Sequence, residues 1–278
     1  MMRIVRVAGL ALAIAAAAGV SAAVAQSSVV EVLARHGIDV KRGDVAAAFD
    51  AHAAPTVPVT PGSFATPLAL LSSTTGAEQI DGAYAFGILA GRSGRAASPQ
   101  ELNAAGQSLI QMIHSEDRRS RIAGARVAGR VFAVSFDRSA RSAVPAGMAD
   151  AVYLMLNQDD EVEQLAAMDA LGLLREVNAV ASLTERYHYY RDSKKRALAG
   201  GALEALARIG HPSTVDVVKQ LAGDKWADGK DATALAVAYA RERMLRDGSI
   251  SVIQQALNDK SRRDQARGYL AELGASVP

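Results

Sequence analysis

Carboxylates recur at regular spacing along the second half of this chain. Leu156-Asn157-Gln158-Asp159, Tyr189-Tyr190-Arg191-Asp192 and Leu221-Ala222-Gly223-Asp224 each close an amphipathic segment with apolar-x-x-Asp, and Leu257-Asn258-Asp259 repeats the pattern one residue shorter. These aspartates lie 33, 32 and 35 residues apart, and Asp117 stands 42 before Asp159. Two chemistries suit such a set. Aspartates lining a groove ligate a metal or a ligand. Aspartates ahead of helices accept the free N–H groups of the first turn and meet the positive end of the helix dipole. Capping alone already requires this placement. Asp117, Asp159, Asp192, Asp224 and Asp259 are therefore read as helix caps, all but Asp159 paired with a basic residue of the following turn (Arg118, Lys195, Lys230 and Arg263).

Other reactive side chains do not assemble into a catalytic or metal-binding set. The acidic run Asp159, Asp160, Glu161 and Glu163 lacks the alternating oxygen ligands and central glycine of a calcium loop. The five histidines (36, 52, 114, 188 and 211) have no HxxxH spacing for zinc. There is no cysteine, hence no thiol nucleophile, no Cys-ligated zinc and no disulfide. Gly91-Arg92-Ser93-Gly94 is not a nucleophile elbow, because the GxSxG order fails. No phosphate loop or dinucleotide fingerprint is present. The expectation is no enzyme, no metal and no cofactor.

Binding is the remaining chemistry. Tyr187-His188-Tyr189-Tyr190-Arg191 gathers three of the seven tyrosines at one helix end. Tyr187 continues an inward stripe, whereas His188, Tyr189 and Arg191 offer an aromatic and cationic patch of the kind enriched at interfaces. Arg118, Arg119 and Arg121, then Lys194, Lys195 and Arg196, then Arg262 and Arg263 form basic clusters, but the acidic run from Asp159 interrupts them, as on an ordinary soluble surface. Trp226, the only tryptophan, falls between units and is read as sealing their joint.

The elements that must position these groups are helices. A period in the thirties is the mark of stacked helix pairs. Counted from each aspartate, Leu171, Leu203, Leu235 and Leu270 fall eleven or twelve residues on. Ala167, Gly200 and Ala232 fall eight on, where small residues let adjacent helices approach, and Arg267 breaks that position in the last unit. Second helices carry inward stripes: Val180, Leu183, Tyr187; Val215, Val218, Leu221; Ile250, Ile253, Leu257. The units run 160–192, 193–224 and 225–259, with a half unit at 260–274. Looser units precede them from Gly76: Asp81 to Ala90, then Pro99 to His114, then Arg118 to Phe132, a polar stretch at Asp137 to Ala143, and a restart at Pro145. Two short helices, 27–36 and 44–53, open the chain. Pro55, Pro58, Pro61 and Pro67 then predict an extended linker or wrapping arm over 55–75, because proline lacks the amide proton.

Ala202-Leu203-Glu204-Ala205-Leu206-Ala207-Arg208-Ile209-Gly210-His211-Pro212 resembles the core of a HEAT repeat, of the kind also found in bilin-lyase-like proteins. Asp192-Ser193-Lys194-Lys195-Arg196 and Ala170-Leu171-Gly172-Leu173-Leu174 are similar to other parts of that repeat. The likeness covers roughly residues 76–274 and is best over 159–274. It implies an all-α fold, an α-α superhelix, and a scaffold that binds protein on a concave surface lined by second helices. Outward positions there are Asp150, Glu185, Arg186, His188, Tyr189, Asp216, Lys219, Gln220, Gln254 and Gln255. It also implies the rival class, a lyase-like accessory enzyme handling a small molecule.

The ends and the charge bound the setting. Arg3 and Arg6, an apolar Ala-rich stretch from Val7 to Val20, and Ala23-Val24-Ala25 before Gln26 form a secretory signal by pattern. Kept uncleaved, it would be the chain's only route to a membrane. The 31 basic residues less Arg3 and Arg6 equal the 29 acidic ones, so the remaining chain is neutral. Phosphate neutralisation needs a basic excess, so nucleic acid is not an expected partner. The reading is an exported protein, periplasmic or secreted, that binds another protein.

Overall fold

The computed structural model of the chain describes residues 28–41, 43–60, 62–134, 144–220 and 232–275. Residues 1–25, read as a signal, the stretch 137–143, Pro61, Leu221, Asp224, Trp226 and Lys230 lie outside the described residues, so the readings placed on them have no structural counterpart here. Among the described residues there are fourteen α-helices and no strand. They are α1 (Val29–Arg35), α2 (Val45–Asp50), α3 (Ala65–Leu71), α4 (Gly76–Ala90), α5 (Pro99–Ile113), α6 (Arg118–Val131) and α7 (Met148–Met155). Then follow α8 (Glu161–Leu174), α9 (Val180–Asp192), α10 (Arg196–Ile209), α11 (Val215–Gln220), α12 (Ala232–Leu245), α13 (Ile250–Ala256) and α14 (Arg263–Glu272). None of the described helices is long and apolar enough to cross a membrane.

Alanine and glycine decide how these helices meet. Helices α4, α6, α8, α10 and α12 pack side by side in chain order, forming one row. A Cβ on Gly129 of α6 would lie 2.8 Å from the Cα of Ala170 in α8, and one on Gly172 of α8 would lie 2.9 Å from the Cα of Ala205 in α10. Gly200 of α10 meets Thr233 of α12 at 3.4 Å. At Gly129 and Gly172 backbone touches backbone, which only a missing side chain allows, whereas at Gly200 a Cβ would make ordinary contact with Thr233. At the other end of the row, ion pairs join neighbours: Arg118 to Asp160 at 2.8 Å and Arg121 to Glu163 at 2.6 Å. The row's helices therefore run parallel. Leu171, Leu203, Leu235 and Leu270 are all buried, in one hydrophobic core that extends from Val29 to Leu270.

The second helices form an outer layer, and their pairing differs from the units cut at each aspartate. Helix α5 packs chiefly on α6, α7 on α8, α9 on α10 and α11 on α12. Each of these four second helices thus belongs with the following first helix, whereas α13 is shared between α12 and α14. The short turn carrying the aspartate makes antiparallel neighbours of the helices it joins; α9 and α10 are separated only by residues 193–195.

The proline-rich segment is also not extended throughout. Residues 65–71 form α3, with Pro67 in its first turn, where the missing N–H has no intrahelical acceptor to lose. Phe64, Leu70 and Leu71 are buried, and Phe64 packs its ring 5.1 Å from that of Phe86 in α4.

The caps also depart from expectation in register. Asp117 accepts the Arg119 N–H and caps α6. At α8 the cap is Asp160 rather than Asp159; its carboxylate takes the N–H groups of Val162 and Glu163. Asp192 ends α9 and pairs with Arg191 at 3.0 Å, while the N-cap position of α10 is Lys195. Asp259 accepts the Ser261 N–H at 2.9 Å, opening the turn that leads into α14. Arg118 and Lys195 reach across helices, to Asp160 at 2.8 Å and Glu161 at 3.2 Å, whereas Asp117 and Asp259 pair within their own turns, with Arg119 at 3.8 Å and Arg262 at 2.9 Å.

Candidate functional site

The row of helices has a face that the outer layer leaves uncovered, and two short elements settle on it. Helix α2 docks at one end, with the Phe49 ring 5.1 Å from that of Tyr84 in α4. Arg126 of α6 bonds Asp50, and Arg130 donates to the Phe49 carbonyl at 2.6 Å. Helix α14 docks at the other end. Its Tyr269 stacks on Tyr239 of α12 with ring centroids 4.3 Å apart. Between the two docked helices lies a cavity of about 350 Å³. Asp169 and Leu173 of α8 line its middle, with Arg126 and Arg130 of α6 to one side and Glu204 and Arg208 of α10 to the other.

These side chains stand at matching places along the row. Arg126, Asp169, Glu204 and Tyr239 occupy one level, 43, 35 and 35 residues apart; Arg130, Leu173 and Arg208 follow four residues later. Four residues is about one helical turn, so both levels point the same way.

Arg208 is the hub of one half of the cavity. Its guanidinium pairs with Asp169 at 2.5 Å, Glu204 at 2.5 Å and Glu272 at 3.1 Å, with 9% of the side chain exposed. Tyr239 donates to Glu272 at 2.7 Å and Tyr269 to Glu204 at 2.8 Å. Arg92, in the short turn after α4, reaches the same Glu272 at 3.1 Å. One carboxylate near the end of the chain is thus gripped by residues from α10, α12 and the α4 turn. Burial disfavours charge on Arg208, but Glu204, Asp169 and Glu272 outweigh it and hold the guanidinium well above its usual range. Burial likewise opposes charge on Glu272, yet Arg208 and then Arg92 hold that carboxyl below the carboxylate range. At Glu204 burial wins, and its pKa is raised. Burial also pushes both tyrosines upward, with Glu272 adding to it at Tyr239 and Glu204 at Tyr269.

A smaller cavity of about 280 Å³ lies across the Arg208–Glu272 bridge, lined by Arg92, Leu173, Arg175 and Gly274 among others. Arg175 donates to the Ile209 carbonyl at 3.3 Å, close to Gly210, whose φ of +67° ends α10 in the left-handed region.

The positions predicted to bind a partner lie elsewhere, on the outer layer. Glu185, Tyr189, Asp216, Lys219, Gln220, Gln254 and Gln255 are exposed. Tyr189 is 62% exposed, unlike Tyr187 and Tyr190, which are buried. Arg186 is engaged, donating to Asn157 at 2.8 Å and to the Tyr190 hydroxyl at 3.1 Å. His188 is half-buried against the Tyr187 ring. Asp216 and Lys219 pair with one another at 3.6 Å. The larger cavity is lined by α6, α8 and α10 of the row with the docked α2 and α14, and by none of the predicted partner-binding positions. Among the described residues no three His, Asp or Glu side chains converge as a metal set.

Sequence reasoning passed over Arg126, Arg130, Asp169, Glu204, Arg208 and Glu272. A signal was available. Glu204 and Arg208 are the only charges in Ala202–Ile209, where the remaining side chains are apolar. A charge pair one turn apart in such a stretch needs partners from another element.

No protein-family model matches this chain. No curated protein matches it either.

Proposed function

We propose that this chain is an exported HEAT-like α-solenoid that binds another protein in the bacterial envelope through its outer layer of second helices, without catalysing a reaction. The observation that carries this is the exposure of Tyr189 beside Glu185, at the end of a helix whose other tyrosines are buried. A large aromatic held in water on a rigid helix is a typical interface anchor. Lys219, Gln220, Gln254 and Gln255 add polar groups with no role in the core. The repeated backbone contacts at Gly129 and Gly172 support the solenoid reading. Export rests on the N-terminal pattern of basic, apolar and small residues. The non-catalytic reading is supported by the Arg208 cluster, whose carboxylates are all held by arginine or tyrosine.

The experiment is site-specific photo-crosslinking in cells from position 189 and position 254, with adducts compared in a Glu185→Lys, Lys219→Glu background. A single discrete adduct from both positions, lost on charge reversal, supports the reading. Adducts that differ between the positions, or survive reversal, overturn it.

The lyase-like alternative draws its support from the cavity between α2 and α14, which has the size of a small-molecule site.

A further inference from the structure

Four arginines face the larger cavity: Arg92, Arg126, Arg130 and Arg208. Three have protein carboxylates bound to them. Arg208 has Asp169, Glu204 and Glu272; Arg126 has Asp50; Arg92 has Glu272. Arg130 has none among the described residues. One of its N–H groups is used by the Phe49 carbonyl, and the guanidinium lies 4.4 Å from the centroid of the Phe49 ring. Asp50 attracts it but is already bonded to Arg126, while Arg92 and Arg126 repel it. Burial and then the Arg92 charge lower its pKa to about 10, so it stays a cation at neutral pH.

A half-buried guanidinium beside like charges, with most of its donors unspent, is costly unless an anion meets it. The rest of the wall is not that of a phosphate site. Phe49, Leu173 and Tyr269 give it apolar surface, and Asp264 and Glu204 oppose a multiply charged anion at the far side. We propose that the cavity binds a small organic acid, its carboxylate clasped by Arg130 with Arg92 adjacent, and its apolar body against Phe49, Leu173 and Tyr269. A volume of about 350 Å³ admits a molecule the size of a substituted benzoate. The site is separate from the outer layer, so its failure leaves the partner-binding reading untouched.

The test uses the full chain, with benzoate and inorganic phosphate as probes in titration calorimetry and saturation-transfer NMR. Wild type is expected to bind one benzoate. Arg130→Gln is expected to weaken this by ~10- to 100-fold, the loss of one charge-assisted contact. Arg130→Lys keeps the charge but loses the planar fork, and should fall between. Arg92→Gln, on a more exposed side chain, gives an independent, smaller loss if Arg130→Gln fails to fold. Absence of benzoate binding by wild type overturns the proposal. So does benzoate binding that is unchanged in a folded Arg130 variant, or in Arg92→Gln where no Arg130 variant folds. Binding of phosphate with no response to benzoate overturns it as well.

Discussion

A methyl group added at Gly172 meets backbone rather than a side chain that can turn away. The new Cβ would sit 2.9 Å from the Cα of Ala205, and 3.4 Å from that residue's Cβ and carbonyl oxygen. Restoring ordinary contact means opening the gap from 2.9 to 3.4 Å, a shift of 0.5 Å between α8 and α10. Both helices are held on their far sides, α8 by α6 and α10 by α12. Overpacking a fixed core costs about 1–3 kcal/mol. Alanine regains about 1 kcal/mol over glycine inside a helix. The net expectation for Gly172→Ala is a loss of about 1 kcal/mol. Gly268 in α14 is the internal control, because a Cβ there meets nothing within 4 Å. Only the propensity gain remains, so Gly268→Ala should stabilise by about 0.5–1 kcal/mol. The same chemical change thus has opposite signs at two helical glycines, separating the midpoints by roughly 4–8 °C in a chain of this size. Urea and thermal unfolding followed by circular dichroism measure both. If Gly172→Ala stabilises as much as Gly268→Ala, the backbone contact between α8 and α10 does not exist.

Three further outcomes follow from the ends of the row. Glu163 is 1% exposed and holds Arg121, so Glu163→Ala leaves a guanidinium half-buried without its acid and should cost about 2–4 kcal/mol in urea unfolding. Asp160→Ala should lower the thermal midpoint by about 2–4 °C, whereas Asp159→Ala should leave it within a degree or so, because only Asp160 accepts the first-turn N–H groups of α8. Asp259 has its pKa lowered from 3.8 to about 2, first by the Ser261 hydroxyl and N–H and then by Arg262. A depressed carboxyl contributes stability that is present above pH 3.8 and lost as pH falls through about 2. The midpoint difference between wild type and Asp259→Ala should therefore be constant above pH 5 and shrink towards zero near pH 2; a difference that persists there would refute the assignment.

The helices were legible because their apolar residues recur with a helical period, and that signal survives substitutions elsewhere. Pro99, expected in a first turn, is the first residue of α5 behind a Ser98–Glu101 capping box. Register was less legible. Asp159 and Asp160 are adjacent carboxylates, and a period near 33 residues cannot tell them apart; the backbone geometry of the turn does. At Asp192 the helix simply runs one residue further, and Lys194 turns the chain at φ +58°. Pairing was illegible for a different reason. Amphipathic stripes say that a helix has a buried face, not which neighbour covers it, so α9 could be assigned to α8 or to α10. The cavity was the least legible feature. Glu204 and Arg208 were visible as part of a repeat core, but their partners stand far off in sequence: Asp169 is 39 residues from Arg208, and Glu272 is 64. No local spacing encodes a contact made when the last helix returns to an uncovered face.

That return is what closes the cavity, and a double-mutant cycle between Arg208 and Glu272 measures it. Arg208→Met, Glu272→Gln and the double variant are unfolded in urea at pH 7 beside the wild type. With α14 seated on α10, the two substitutions should couple by about 1–3 kcal/mol, since the pair is in direct buried contact even though Arg208 keeps Asp169 and Glu204 and Glu272 keeps Arg92. Additivity within about 0.5 kcal/mol would mean that the last helix does not rest on the row, and the cavity would not exist.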